Sequence, residues 1–498
     1  MTFFNDQLAV ARAALDHAEE SLRQAKEKTL ALSNSIYPAL DEEAFRAFLK
    51  QPYVLIQRRA HEWYCIVPKF IDFAVGWLEF ATDSYNVFLV NRYTLWLGSV
   101  PESISEATGL EQTPVAFSVA DGLLTFDQNG RAAAERYRPF LSRIKGDVGY
   151  ITRGKEFQLL AQMIDDGYLP FAARPVATQD YREPSISFTC GGRYQFQQDA
   201  YLRWLELGAV GVYWMTGAGK SFFAMKCLDS INGRKLIVVP TKTLIDQWKD
   251  YFRKYAPRLG REEGSHESSA LRIVTYQAYE KVAKHEWDVV LFDECHRLPA
   301  TSFSRLATLK TKYRIGLSAS PYREDGRTNY IFALTGFPIG HDWRELMKTL
   351  GKQYHEVNVW IVPSKAQKIN KAAELFDSSK KTLIFSDAID LGAQIAKRLN
   401  LPHVHGGTNG RMTTARQSPA FVASRVMDMG VSLDDLEHII EVDFLFGSRQ
   451  QEIQRTGRLF HSLKKSRHDI LMTKDEFDSH QKRLHGLVER GFKVTLHQ

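Results

Sequence analysis

A regular alternation of short apolar segments with helical segments, beginning after about residue 185, constrains this chain more than any other feature. The first series places apolar segments at 211–214, 236–239, 289–292 and 314–317. Such an alternation is typical of a parallel sheet with helices on its faces. A second series starts near Val357 and includes 382–385 and 438–442. The sequence therefore predicts an α/β fold class with two tandem parallel-sheet domains.

Residues before this alternation predict a mixed α+β N-terminal region. A seven-residue rhythm opens the chain, with Leu8, Leu15 and Leu22 on one heptad position and Ala11, Ala18 and Ala25 on the other. This rhythm predicts either a short coiled coil or a helix that lies on its own domain. Strands are predicted at 53–56, 63–67 and 85–90, helices at 130–144 and 155–166, and a linker at 169–192. The predicted domains are a helical segment (1–50), a mixed α+β accessory domain (51–185), a first α/β domain (186–345) and a second α/β domain (355–498).

Composition excludes several other classes of protein. The chain has 498 residues, of which 44% are hydrophobic and 25% charged, and this suits several packed cores rather than wholesale disorder. Its four cysteines form no CxxC pair, so neither a disulfide framework nor a zinc ribbon is expected. No signal-peptide pattern or long apolar run is present, so we expect a cytoplasmic location and no membrane partner. The net charge of +7 favours a polyanionic partner only mildly.

The segment from Met215 to Ser221 predicts a phosphate-binding loop. It reads Met-Thr-Gly-Ala-Gly-Lys-Ser and lies between an apolar strand and an apolar helix. Glycines in such a loop let backbone N–H groups face a phosphate, and the helix N-terminus adds its positive dipole end. Lys220 would reach the β- and γ-phosphates, and the Ser221 hydroxyl would bind Mg²⁺. Trp214 stands where the strict consensus has its first glycine.

Asp293 and Glu294 follow the apolar segment 289–292, at the carboxyl end of a predicted strand. Ligands bind at that edge of parallel sheets. Asp293 would hold Mg²⁺ through water, and Glu294 would orient and deprotonate the attacking water. Together with the phosphate loop, this pair predicts hydrolysis of a nucleoside triphosphate, with ATP and Mg²⁺ as cofactors.

Further short motifs follow in a fixed order. In the first α/β region they are Val238-Val-Pro-Thr-Lys-Thr-Leu244 with Gln247-Trp248, Ile273-Val-Thr-Tyr-Gln277, Asp293-Glu-Cys-His296, Ser318-Ala-Ser320 and Arg323-Glu324-Asp325. In the second they are Thr382-Leu-Ile-Phe-Ser386, Asp428-Met-Gly-Val-Ser-Leu433 and Gln454-Arg455-Thr-Gly-Arg458. Over about residues 192–470 these motifs resemble those of a superfamily 2 DExH-box helicase, and they are most similar to the XPB (xeroderma pigmentosum B) group of DNA helicases.

The resemblance implies RecA-like domains and assigns roles to the matching residues. The implied catalytic residues are Lys220, Asp293, Glu294, Gln454, Arg455 and Arg458. The implied nucleotide contacts are Gln197, Thr216, Gly217, Ala218, Gly219, Lys220 and Ser221, with Ser221 and Asp293 as metal ligands. The implied DNA contacts are Thr241, Lys242, Thr275, Arg323, Glu324 and Asp325. Arg455 and Arg458 would project across the cleft between the two domains, where a guanidinium can neutralise γ-phosphate charge. Gln195 and Gln198 compete with Gln197 for the adenine-reading role.

Four departures from the family pattern are visible. His461 replaces the last arginine of the motif that contains Arg458, and Ser432 stands where an aspartate is usual. The predicted strand 357–362 passes almost directly to a helix at 365–376, so the helical thumb that XPB proteins insert is predicted to be short or missing. The span between His405 and Ser424 is also brief.

The resemblance implies an ATP-dependent DNA helicase or translocase with 3′-to-5′ polarity, acting in repair, recombination or replication. The alternatives are the motor of a restriction or defence system with a partner nuclease, a remodelling scaffold that switches with ATP without unwinding, and an RNA helicase. The aromatic residues of the front region either stack on bases of distorted DNA or fill a core, and the core role is the commoner one. They are Trp63, Tyr64, Trp77, Tyr85, Tyr93 and Trp96.

Overall fold

The computed structural model describes most of residues 52–497. The gaps are 60, 70, 72, 83, 98–99, 111–116, 121, 127–129, 169–174, 187–190, 267, 301–305, 307–308, 324–326, 341–342, 428–432, 434, 444–448 and 462–465. The heptad prediction for residues 1–50, Glu324, Asp325 and most of the 428–433 motif therefore lie outside the described residues. The chain divides into two compact units, one of residues 1–95 with 100–111 and one of 96–99 with 112–498.

The first unit contains an antiparallel sheet in the order β1-β2-β4-β3. Its elements are β1 (Val54–Arg59), β2 (Glu62–Pro68), β3 (Trp77–Ala81), β4 (Tyr85–Asn91), α1 (Arg92–Trp96) and α2 (Glu102–Thr108). Alternate residues of β2 and β4, including Cys65, Val67, Phe88 and Val90, are fully buried on one face. The three strands predicted here are confirmed. Of the six aromatic residues, Trp77, Tyr93 and Trp96 are buried, whereas Tyr85 is exposed.

A second antiparallel sheet, in the order β5-β6-β8-β7, opens the second unit. Its elements are β5 (Phe117–Ala120), β6 (Leu123–Phe126), α3 (Arg131–Arg136), β7 (Leu141–Lys145), β8 (Val148–Ile151) and α4 (Glu156–Asp165). The helix predicted at 130–144 is wrong after Arg136. Pro139 cannot donate a helical hydrogen bond, and Leu141–Lys145 instead pairs with β8. The helix predicted at 155–166 is confirmed.

The predicted linker is anchored to the α/β domain that follows it. The backbone N–H of Val176 donates to the carbonyl of Leu205 at 2.8 Å. Arg182 Nε donates to the carbonyl of Asp229, and both the N–H and the hydroxyl of Ser185 donate to the buried Asp229 carboxylate. Residues 175–186 therefore form an ordered strap.

The first α/β domain is built on a parallel sheet in the order β11-β10-β12-β13-β9-β14. Its strands are β9 (Ala209–Tyr213), β10 (Lys235–Val239), β11 (Leu271–Thr275), β12 (Trp287–Asp293), β13 (Thr311–Leu317) and β14 (Phe337–Gly340). Its helices are α5 (Gln195–Leu207), α6 (Lys220–Asp229), α7 (Lys242–Tyr255), α8 (Pro257–Glu262), α9 (Tyr279–Val282), α10 (Thr328–Thr335) and α11 (Trp343–Thr349). Because the strands are parallel, the segments after β9, β10, β11, β12 and β13 all lie at one edge of the sheet.

The second α/β domain has a parallel sheet in the order β17-β18-β16-β19-β20-β15-β21. Its strands are β15 (Glu356–Val362), β16 (Thr382–Ser386), β17 (His403–Val404), β18 (Ala420–Ala423), β19 (His438–Asp443), β20 (Arg467–Thr473) and β21 (Val494–His497). Its helices are α12 (Lys365–Leu375), α13 (Ile389–Leu399), α14 (Arg411–Gln417), α15 (Arg449–Gly457), α16 (Lys474–His480) and α17 (Lys482–Glu489).

The predicted fold class, two tandem RecA-like α/β domains behind a mixed N-terminal region, is confirmed. Helix α12 begins three residues after β15 ends. This short connection leaves no room for an inserted thumb between these two elements, as the sequence predicts. Among the described residues, no helix combines the length and the apolar character that a membrane span needs.

Candidate functional site

The loop between β9 and α6 has the backbone that phosphate binding requires. Every residue of β9 is buried, so the loop leaves a fixed strand end. Gly217 and Gly219 have positive φ angles of 78° and 85°, which L side chains rarely adopt. A Cβ atom on Gly219 would also lie 2.2 Å from the side-chain nitrogen of Gln197. The positive φ angle therefore favours glycine at residue 219, and the side chain of Gln197 packs directly against it.

Lys220 is the first residue of α6, and the loop itself holds its amine. The Nζ atom donates to the carbonyl oxygens of Trp214 and Met215, at 2.8 and 3.2 Å. Burial lowers the pKa of Lys220, while the nearby carboxylates of Glu294 and Asp293 act to raise it. The amine thus lies in the field of the carboxylate pair, at the loop that would receive the phosphates.

Of the three competing glutamines, Gln197 is the one placed against the phosphate loop. Its side chain is buried and donates from Nε2 to the carbonyl of Ala218 at 2.8 Å. Gln195 donates instead to Asp199 within α5, and Gln198 accepts from Lys226. The choice of Gln197 made from the sequence agrees with this geometry.

Asp293 ends β12, and an indole fixes its carboxylate. Trp248 Nε1 on α7 donates to Asp293 Oδ2 at 2.9 Å, and the backbone N–H of Glu294 donates to Oδ1 at 3.0 Å. Burial and the neighbouring charge of Glu294 hold the pKa of Asp293 well above its ordinary range. A divalent cation beside this carboxylate would oppose that shift.

Glu294 occupies a left-handed backbone conformation, with φ of 51°. Non-glycine residues adopt this conformation infrequently, and it turns the chain sharply at the strand end. Burial alone would raise the pKa of Glu294, but interactions with His296, Lys220 and Arg297 overcome it and lower the pKa. The carboxylate is therefore held in its ionised form, as a proton acceptor requires.

His296 links Glu294 to the segment that follows β13. Its buried Nδ1 lies 3.3 Å from Glu294 Oε2 and 3.0 Å from the hydroxyl of Ser318. The Ser318 hydroxyl donates to the carbonyl of Ser320 at 2.9 Å. The DExH segment and the Ser-Ala-Ser segment therefore share one hydrogen-bond network.

The predicted DNA contacts in the first domain lie at the same sheet edge. Thr241 caps α7 by accepting from the N–H of Leu244, Lys242 is exposed, and Thr275 ends β11 beside the end of β10. Arg323 lies differently, because its Nη1 donates to the carbonyl of His296 at 2.7 Å. Thr241, Lys242 and Thr275 therefore form one polar cluster, and Arg323 braces the DExH turn.

Arg455 does not project across the cleft as the sequence predicts. Its fully buried guanidinium donates to Asp387 and Glu441, both inside the second domain, at 2.6 Å each. The same helix carries the buried Glu452, which accepts from Arg483. The physical reason for this correction is that Asp387 and Glu441 are fully buried anions that require a compensating cation.

Glu441, Glu452 and His468 are the candidate metal ligands among the described residues, with ligand atoms within 4.8 Å of one another. Arg455 and Arg483 already pair with these carboxylates, and Thr456 bonds the imidazole at 2.9 Å. A cation would therefore compete with two buried arginines. We interpret this group as a structural ion-pair network beneath α15.

The end of α15 lies against the phosphate loop. A Cβ atom on Gly457 would lie 2.7 Å from the hydroxyl of Thr216, so the backbone of the second domain comes close to the loop of the first. Arg458 is the next residue and is buried, and Gln454 is half-buried one turn earlier. The two α/β domains thus meet at the loop between β9 and α6.

The comparisons with known proteins follow the same division of the chain. Residues 194–323 match the family model described as "Type III restriction enzyme, res subunit", and residues 344–492 match "ERCC3/RAD25/XPB C-terminal helicase". The resemblance to the XPB group is confirmed. The first matched range contains the phosphate loop and the DExH segment, and the second contains the motif that ends α15.

Curated relatives agree with this assignment. The chain is 31% identical to the "Putative DNA 3'-5' helicase Rad25" of Halobacterium salinarum over 345 residues, which are 60% of this chain and 58% of that protein. It is 26% identical to the "DNA 3'-5' helicase XPB" of Kineococcus radiotolerans, over 53% of this chain and 56% of that protein. It is 31% identical to the "DNA 3'-5' translocase XPB2" of Sulfurisphaera tokodaii, over 40% of this chain and 43% of that protein. The chain thus spans about half the length of the curated relatives that it matches.

Sequence reasoning missed three side chains of this site. The indole of Trp248 was part of a recognised motif, but nothing in the motif indicated a bond to Asp293. Arg449 stacks on Tyr322 of the first domain. Arg490 donates to the hydroxyl of Ser320 of the same domain. For these two arginines no sequence signal exists, since each pair is separated by more than a hundred residues.

Proposed function

We propose that this chain is an XPB-like motor that hydrolyses ATP and uses the energy to move along, or to unwind, DNA. The observation that carries the proposal is the meeting of α15 with the phosphate loop at Gly457 and Thr216. Two domains that share one nucleotide close when it binds and reopen after hydrolysis, and such a cycle can step along a strand.

The chemistry follows from the residues of the site. The loop N–H groups and Lys220 bind the phosphates, and Glu294 orients the attacking water and accepts its proton. Hydroxyl and carboxylate oxygens are the ligands that Mg²⁺ prefers, so Ser221 and Asp293 suit that ion. When bound, Mg²⁺ supplies a Lewis acid that neutralises phosphate charge.

Arg458 is our candidate for the arginine that stabilises the transition state. It directly follows Gly457, whose backbone lies beside the phosphate loop, whereas Arg455 is paired with Asp387 and Glu441. A guanidinium in this place reaches the γ-phosphate only while the domains are closed. Hydrolysis then depends on closure, as a motor needs.

DNA is the proposed track because curated relatives are named as DNA helicases and translocases. Thr241, Lys242 and Thr275 lie at the sheet edge and suit contacts to a sugar-phosphate backbone. Such contacts carry no sequence preference and weaken as salt increases. The short connection between β15 and α12 favours translocation over strand separation by a thumb.

A mutational test of the ATP site uses Lys220→Ala and Glu294→Gln. Each should abolish ATP turnover, because one loses the phosphate cation and the other the proton acceptor, and Glu294→Gln should still bind nucleotide. The control is Lys310→Ala, which removes only an exposed pair with Glu286. Full turnover in either site variant would contradict the assigned roles.

The track is tested by measuring ATP turnover with single-stranded DNA, forked duplex and RNA side by side. We expect stimulation by DNA that falls as salt rises, together with displacement of a triplex-forming strand if the protein translocates on duplex. Stronger stimulation by RNA than by any DNA would reject the DNA track in favour of an RNA helicase.

A second candidate rests on the match of residues 194–323 to the restriction-enzyme model. In this alternative the chain is the motor of a defence system whose nuclease is a separate protein. Co-purification of a nuclease from the native host, with ATP-dependent cleavage of foreign duplex DNA, would favour this alternative over a repair motor.

A further inference from the structure

The C-terminal end of α17 lies against the first α/β domain. Arg490, buried, follows α17 and donates from Nη2 to the hydroxyl of Ser320 at 3.3 Å. The same guanidinium donates from Nη1 to the carbonyl of Gly486 at 2.9 Å and lies 5.0 Å from the ring of Trp343. The arginine is thus held by its own helix and by α11 while it reaches the Ser-Ala-Ser segment.

A second arginine of the second domain contacts the same segment two residues later. The guanidinium of Arg449, at the start of α15, stacks over the ring of Tyr322 at 3.8 Å. A planar guanidinium stacks on an aromatic face in a way that an ammonium cannot. This contact therefore depends on arginine rather than on positive charge alone.

Glu489 joins the two arginines. Its Oε1 accepts from Arg449 Nη1 at 2.6 Å, and its Oε2 accepts from Arg490 Nη1 at 3.3 Å. The carboxylate is almost entirely buried between them. We call these three residues, Arg449, Glu489 and Arg490, the arginine clasp.

The segment that the clasp holds is connected to the catalytic carboxylate. Ser318 donates to the carbonyl of Ser320 and lies 3.0 Å from Nδ1 of His296, which lies 3.3 Å from Glu294. A shift of the 318–322 segment would therefore move His296, whose imidazole lies against the Glu294 carboxylate. Small displacements of a proton acceptor reduce turnover strongly.

We propose that the arginine clasp is a positioning device, by which the second domain sets the 318–322 segment, and through it Glu294, for hydrolysis when the two domains are closed. The inference rests on the proposed ATPase and deepens it, because it assigns a role to three residues that the sequence analysis left without one. It predicts that clasp variants slow the chemical step without weakening nucleotide binding.

The test compares two substitutions of the half-buried Tyr322, one that keeps the aromatic ring and one that removes it. Tyr322→Leu should lower the DNA-stimulated kcat for ATP about tenfold, with KM for ATP within about twofold, whereas Tyr322→Phe should keep most of the activity. Arg449→Lys should resemble Tyr322→Leu, because charge without a planar stack is insufficient. Arg490→Lys should retain part of the activity lost in Arg490→Leu, since an ammonium can still donate to Ser320.

Coupling between the two partners separates positioning from general loss of stability. The double variant Arg449→Lys/Tyr322→Leu should be no slower than the slower single variant, because both remove one contact. Arg398→Lys, on the exposed face of α13, is the matched control and should behave as wild type. Thermal unfolding measured on every variant identifies any that fail to fold, and Tyr322→Leu carries the test if the buried arginine variants do.

Three outcomes overturn the inference, and they can be distinguished. If wild type hydrolyses ATP and Lys220→Ala abolishes it, while folded Tyr322→Leu retains wild-type kcat, the clasp has no positioning role and the proposed function stands. An increase of KM alone in Tyr322→Leu likewise contradicts it. If folded wild type hydrolyses no nucleoside triphosphate with or without DNA, the proposed function fails and the clasp inference fails with it.

Discussion

At the scale of single residues, the candidate site is defined by side chains that fix other side chains. Asp293 offers one oxygen to the indole of Trp248 and the other to a backbone N–H, so its carboxylate plane is set before any ligand binds. Gln197 similarly fixes the phosphate loop at Ala218. Residues that orient metal and phosphate ligands usually matter nearly as much as the ligands.

Replacing Trp248 by Phe tests this orientation. The variant keeps most of the apolar packing but loses the bond to Asp293 Oδ2, so we expect about a tenfold higher Mg²⁺ requirement for ATP turnover. Trp360 makes an equivalent bond to Asp469 in the second domain and gives a matched control, Trp360→Phe. An equal change of Mg²⁺ requirement in both variants would contradict the role given to Trp248.

At the scale of elements, helix α15 contacts both domains: its buried charged residues pair within the second domain, and its C-terminal end lies near the first. Arg455 and Glu452 face the interior of the second domain, where they pair with Asp387, Glu441 and Arg483. The end of the helix instead approaches the phosphate loop of the first domain. A buried ion-pair network holds the helix in place, and so fixes where its last residues enter the cleft.

Two substitutions on this element should have different consequences. Arg455→Gln leaves buried carboxylates uncompensated and should lower the free energy of unfolding by about 3–5 kcal/mol. Arg458→Gln should lower ATP turnover by about a hundredfold with a smaller loss of stability. Denaturant unfolding and turnover assays on both variants measure the two effects. If Arg455→Gln is as stable as wild type but inactive, the structural role assigned to Arg455 is incorrect.

At the scale of the second compact unit, one apolar core includes residues of both α/β domains. Trp204 and Leu291 of the first domain belong to the same buried cluster as Val359 and Ile470 of the second. Trp343 on the connecting helix α11 packs against Phe460 and Phe492. The arrangement of the two domains is therefore stabilised by apolar burial as well as by the contacts of Arg449 and Arg490 with the first domain.

His355 makes this core sensitive to acid. Its ring packs against those of Phe460 and Phe492, and burial, with a smaller contribution from His468, lowers the pKa of His355 to about 3. The folded state thus holds the neutral imidazole, whereas the unfolded chain binds a proton below about pH 6.5. Stability should be complete above that pH and fall as the pH drops from 6.5 toward 3, by about 1.4 kcal/mol per unit.

Replacing His355 by Phe removes this proton-linked loss. The free energy of unfolding of His355→Phe should fall less steeply between pH 6.5 and pH 4.5 than that of wild type, with a difference of about 2–3 kcal/mol at the lower pH. The control variant is His266→Phe, which replaces an exposed histidine. Parallel pH profiles for wild type and His355→Phe would show that His355 is not the group responsible.

The sequence alone determined the strand and helix alternation of both α/β domains, the phosphate loop, and the carboxylate pair at the end of β12. These features are local, because strand periodicity, glycine backbone freedom and the order of motifs depend on neighbours within a few residues. The sequence left Gln195, Gln197 and Gln198 as competitors for one role, and the structure places Gln197 against the phosphate loop. The prediction of a helix at 130–144 shows the limit, since the pairing of Leu141–Lys145 with β8 overrides helical propensity.

Only the tertiary structure showed that Arg455 is turned into the second domain. Arg455 and Arg458 are three residues apart in one motif, but Arg455 forms buried ion pairs with Asp387 and Glu441. The bond from Trp248 to Asp293 and the contacts of Arg449 and Arg490 with the 318–322 segment join residues from 45 to 170 positions apart. The direction of such side chains follows from how separate elements pack, and no local pattern in the chain encodes it.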